Sequence, residues 1–104
     1  MQVLVFEYIM NLGETMKIKQ GFYLKEENGQ SVIVCDKSIN RNFTSSIILT
    51  DTTAHLWKML KNENATKEQM LHGLLQNFDI STVLALNDID VFIKILKENG
   101  ILEE

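Results

Sequence analysis

Two histidines, one cysteine and fourteen carboxylates are the side chains of this 104-residue chain that could act as nucleophile, base or ligand. Their spacing supports little of that chemistry. A zinc centre needs three or four convergent ligands, and His55 and His72 fall on different predicted helices with no acidic or cysteine cluster beside them. Cys35 lies in an apolar run, where a free cysteine serves as a small hydrophobe. A reactive thiolate needs a base or a positive field, and only Lys37 is near. Asp88 and Asp90 stand two apart, which on a helix turns them to different faces, so they do not pair as acid and base and read as solvated. The five glycines, Gly13, Gly21, Gly29, Gly73 and Gly100, are too scattered for a phosphate loop. Neither catalysis, a metal nor a cofactor is expected.

The elements that position these groups divide the chain in two. Gly21–Glu26 and Ser31–Asp36 flank Asn28-Gly29, a strong hairpin signal. A polar loop over 37–42 leads to a third run, Phe43–Leu49, rich in β-branched and hydroxyl residues. Connections this short imply an antiparallel meander. Three helices follow. Thr50 or Asp51 caps the first, which carries Ala54, Leu56, Trp57 and Leu60. Thr66 and Gln69 form a capping box for the second, with Met70, Leu71, Leu74, Leu75 and Phe78 at helical spacing. The third opens near Ser81 and runs to Asn99, and Gly100 is its left-handed stop. The fold class is therefore α+β, three strands and then three helices. Trp57 shares a face with Ala54 and Leu60 and is expected in the core.

Composition narrows the partners. Hydrophobic residues at 45% and charged residues at 23% are those of a globular domain. One cysteine rules out an internal disulfide framework. Residues 79–104 hold six acids and two lysines, a net charge of −4, whereas phosphate backbones demand clustered Lys and Arg. The second and third helices outline a helix-turn-helix, yet the reading face would present Thr82, Val83, Leu84, Asn87 and Asp88 with no base before Lys94. Nucleic acid is disfavoured. No run approaches the roughly 20 apolar residues of a membrane span. The opening MQVLVFEYIM lacks the positive start and cleavage site of a signal peptide. A cytosolic protein is expected.

The third helix is the most informative segment. At about 100° per residue, Ala85, Leu86, Ile89, Phe92, Ile93 and Leu96 occupy an arc from roughly 80° to 200° measured from Leu84. That arc is an ordinary core stripe. Leu84, Val91 and Ile95 form a second apolar stripe within about 20° of zero, with Asp88 between the two. The second stripe must face another element, a second subunit or a ligand groove.

Several segments together resemble the PqqD family. They are KIKQGFYL over Lys17–Leu24, LTDTTAHLW over Leu49–Trp57 leading to Leu60, and Phe78-Asp79-Ile80. A closing pattern follows: Asp88-Ile89, Phe92-Ile93 and Leu96, then Gly100-Ile101-Leu102. The resemblance spans residues 16–104. It departs at Thr50, where the family often has Asn, and both residues cap helices. It also leaves Met1–Thr15 as an N-terminal extension, an extra strand or a stray upstream start. A strand-like extension is expected to pair in its own sheet or to cross to a second subunit, in either case competing for the groove. The resemblance implies a winged-helix-like domain that recognises the leader of a ribosomally made, post-translationally modified peptide. The leader adds as a strand to the third strand and packs on the third helix. On that reading Ser46, Ile47, Ile48 and Leu49 supply the edge. Leu84, Val91 and Ile95 form the apolar wall with Asp88 at its margin, an assignment that carries the helix wheel onto the family's groove. The implied partner enzyme is a radical S-adenosylmethionine enzyme, or a leader peptidase. A homodimerisation module and a winged-helix transcription regulator are the alternatives, the latter disfavoured by the acidic third helix.

Overall fold

The computed structural model describes residues 15–39, 43 and 46–103. Asn28 and Gly29 both take positive φ, 52° and 78°, the conformation of the two-residue turn whose twist matches paired strands. The turn joins β2 (Phe22–Glu27) to β3 (Gln30–Cys35), with Glu27 opposite Gln30 and Phe22 opposite Cys35. A short β1 (Thr15–Met16) precedes them. Because side chains alternate along a strand, Phe22, Leu24, Ile33 and Cys35 share the inner face. Tyr23 and Lys25 share the outer one. The third strand of this sheet, β4 (Ile47–Leu49), runs antiparallel to β3 with Ile33 opposite Ile47 and Ser31 opposite Leu49.

The expected strand over Phe43–Leu49 is thus shorter among the described residues. Phe43 is recruited for packing instead, its ring edge-on to Phe22 at 5.1 Å. Its carbonyl accepts from Lys37 Nζ at 2.7 Å. The loop from β3 is started by Asp36, whose carboxylate accepts from the Ser38 hydroxyl and amide. Those bonds hold its carboxyl below the ordinary 3.8. The group therefore favours the folded turn above that pH, and the contribution fades as acid takes pH down through the lowered value.

Three helices complete the domain. Thr50 and Thr53 cap each other at the start of α1 (Asp51–Asn62). Thr66 and Gln69 form the predicted capping box on α2 (Lys67–Asn77), with bonds of 3.1 and 2.9 Å. Ser81 caps α3 (Thr82–Glu98), accepting from the Leu84 amide. At the other end of α3, Gly100 takes φ 66°. The Gly100 amide donates to Lys97 and the Ile101 amide to Leu96, a Schellman stop that reverses the chain.

That reversal creates contacts the sequence did not announce. The returning segment lies along the chain's start: Ile18 bridges Leu102, Lys19 donates to Ile101, and Glu103 donates to Lys17. Beside it, β1 pairs with β5 (Ala65–Thr66). Residues 1–14, and with them the expectations for the extension, lie outside the described residues.

The core is single. It joins Phe22, Ile33 and Leu49 from the sheet to Leu56, Trp57 and Leu60 from α1. It continues through Met70 and Leu74 to Ala85, Ile89, Phe92, Ile93 and Leu96, and is closed by Ile18, Ile101 and Leu102. One α2 residue departs from expectation. Leu75 is exposed, because Met70 and Leu74 alone turn fully inward, with Leu71 and Phe78 half-buried. Trp57 is 2% exposed, as its spacing required. Trp57→Ala should cost about 3–5 kcal/mol, a large share of a small domain's stability. Urea unfolding measures the loss, and a variant as stable as the parent would contradict the core assignment.

Candidate functional site

The order of the main sheet is β2-β3-β4, so among the described residues β4 pairs on one side only. An unpaired edge presents a row of amide and carbonyl groups to any added strand. Along β4 the side chains alternate. Leu49 is buried and Ile47 half-buried on the inner face, while Ile48 is 55% exposed on the outer face, and Ser46 is exposed just before the strand.

On α3, the core stripe predicted from the wheel is buried, with Leu86 half-buried at its margin. The second stripe is left open. Leu84 is 57% and Val91 46% exposed, and Ile95 is half-buried. These large apolar side chains stand in a row at helical spacing and stay partly exposed among the described residues.

Asp88 connects the stripe to the strand. Thr52 Oγ1 donates to Asp88 Oδ2 at 2.9 Å, across 36 positions of sequence. Thr52 is the second residue of α1, three residues beyond the end of β4. This bond therefore fixes the middle of α3 to the point where the edge strand passes into α1. By its spacing from Asp90, Asp88 is expected to be solvated, and by the resemblance to lie at the groove's margin. It is half-buried, because its position lies between the two stripes and its carboxylate is held by Thr52. The wheel sets Asp88 between the two stripes but carries no sign of its partner.

Cys35 is half-buried, with Sγ 3.9 Å from the Phe43 carbonyl. His55 meets the edge of Phe78 at 5.6 Å and lies 3.4 Å from Asn77 Nδ2, while His72 is exposed. Asp90 pairs with Lys67 at 2.8 Å on the polar side of α3. A concavity lined by Met59, Asn62, Glu63, Asn64, Ala65 and Gln69 lies at the carboxyl end of α1, the opposite end from Thr50 and β4. Among the described residues, no helix is long and apolar enough to cross a membrane.

The profile of the family described as "Coenzyme PQQ synthesis protein D (PqqD)" matches residues 42–102. A solved structure described as "TbiB1 in Complex with the TbiA(beta) Leader Peptide" superposes with a TM-score of 0.64 at 15% identity. The match covers 85% of this chain and 95% of that one, which supports a shared α+β, winged-helix-like fold. Among curated proteins none matches.

The Thr52–Asp88 bond can be tested in isolation. Thr52→Val keeps the shape but strips the carboxylate of its donor, and should cost about 1–2 kcal/mol in urea unfolding. Asp88→Asn retains an acceptor for Thr52 and should cost less. Equal stability of Thr52→Val and the parent would show that the bond does not hold α3 in place.

Proposed function

The chain belongs to the PqqD family, and from that premise we propose that it is a non-catalytic peptide chaperone. It captures the leader segment of a ribosomal precursor and presents the precursor to a modifying enzyme. The carrying observation is the open apolar row of Leu84 and Val91 on α3, continued by half-buried Ile95, on a helix tied through Asp88 to the start of α1, three residues beyond an edge strand. The same-fold structure is described with a leader peptide bound, which supports assigning this groove to a leader.

Binding proceeds by strand addition. Ser46–Leu49 offer backbone donors and acceptors that pair with an extended leader whatever its side chains. Leu84, Val91 and Ile95 receive the leader's apolar residues, with Asp88 among them. The protein supplies no nucleophile or base to the precursor, and the chemistry belongs to the partner. A radical S-adenosylmethionine enzyme is the partner the family membership favours, with a leader peptidase as the other candidate. A homodimer through the same row would compete with the leader.

Val91→Glu tests the groove. A carboxylate at this position stays in water in the free protein but is desolvated when a leader docks, at about 1–3 kcal/mol or more if unpaired. Circular dichroism should show a folded variant. Titration with a synthetic leader of the precursor encoded nearest this gene should show binding lost. Unchanged affinity in the folded variant would remove α3 from the site. Sedimentation of parent and variant reads the dimer, and a parent that dimerises through Val91 without binding a leader would replace this reading.

A further inference from the structure

We infer that the segment bound in this groove carries a lysine or arginine facing Asp88, with apolar residues two positions to either side of it. The inference rests on the strand-addition reading and names the chemistry of its ligand.

Spacing gives the pattern. The row along α3 is Leu84, Asp88, Val91 and Ile95, each exposed or half-buried. At 1.5 Å rise per residue, Leu84 lies about 6 Å before Asp88, with Val91 about 4.5 Å and Ile95 about 10.5 Å beyond it. In an extended strand, residues on one face recur every 6.6 Å or so. A strand running along α3 with one residue opposite Asp88 therefore places its next same-face residue opposite Leu84. On the other side the next one falls between Val91 and Ile95. Apolar, then a residue facing the carboxylate, then apolar is the order the helix presents.

Charge gives the middle residue. Among the described residues Asp88 accepts one hydrogen bond, from Thr52 to Oδ2, whereas an ionised carboxylate offers about four acceptor sites. The ion pairs among the described residues join Lys17 to Glu103, Lys25 to Glu27, Lys67 to Asp90 and Lys94 to Glu98; none reaches Asp88. In the free protein, water serves the open side of this half-buried group. A docked strand displaces that water, and burying a carboxylate without a counter-charge is strongly unfavourable. A hydroxyl or amide on the ligand would satisfy one lone pair and leave the charge. A cation satisfies both. The net charge of −4 over residues 79–104 acts in the same direction at longer range.

Random peptides displayed on yeast, selected on the full chain and counter-selected on Val91→Glu, test this without knowledge of the precursor. The expected outcome is enrichment of Lys or Arg between apolar residues two positions to either side. An enriched peptide should lose about tenfold in affinity, ~1.4 kcal/mol, against Asp88→Asn. Replacing its basic residue by glutamine should cost the same, and the two changes together should cost no more than either. The loss on Asp88→Asn should also shrink at high salt. Enriched peptides with alternating apolar residues and no basic preference, or with equal affinity for Asp88→Asn, would overturn the inference and leave the groove standing. No enrichment, or enrichment indifferent to Val91→Glu, would overturn the groove and the inference together.

Discussion

Burial of one face of α3 is the constraint on which the rest of the structure depends. Ala85, Ile89, Phe92 and Leu96 are fully enclosed, and each of the three large side chains contributes about 1.5–3 kcal/mol only when it is removed from water. That requirement fixes the rotation of the helix about its own axis. Once rotation is fixed, the direction of every other α3 side chain follows from the 100° step. Leu84 and Val91 remain open because no rotation buries both stripes against one core. The Schellman stop at Gly100 then carries Ile101 and Leu102 back onto Ile18, which closes the far end and holds the helix in that setting.

The exposed row and the exposed edge are both unfavourable for a free protein. An unpaired edge invites association with other strands, and short edge strands limit that hazard. Here β4 is three residues long. The Thr52–Asp88 bond places a charge among the apolar side chains of α3, and a charge that must be desolvated opposes indiscriminate apolar contact. One carboxylate thus serves two ends, holding α3 to the start of α1 and guarding the apolar row beside it.

What was legible in the sequence follows the range of the interaction that fixes each feature. The turn at Asn28-Gly29, the Thr66–Gln69 box and the stop at Gly100 are settled within a few residues, and local spacing was enough to read them. Both stripes of α3 were legible for the same reason, one buried and the other left open or half-buried. The strand at Phe43–Leu49 was over-read because its propensity is real but Phe43 packs against Phe22 instead. The pairing of β1 with β5 and the Ile18–Leu102 bridge had no signal, since two-residue pairings have no period. Leu75 sits at helical spacing yet faces water, because Met70 and Leu74 already fill the contact α2 makes. Thr52 escaped notice because its partner lies on another helix.

The short edge also decides where affinity must reside. A strand added to three residues of β4 gains only a few backbone hydrogen bonds, each worth about 0.5–1.5 kcal/mol net. Association itself costs an estimated 4–15 kcal/mol in lost freedom, so the edge alone does not hold a peptide. The deficit must be met by apolar side chains entering the row of Leu84, Val91 and Ile95, where full burial of each contributes about 1.5–3 kcal/mol. Backbone pairing is indifferent to sequence, whereas the row is not. On the proposed strand-addition reading, discrimination among peptides lies with α3, and β4 sets the direction and register in which their side chains meet it.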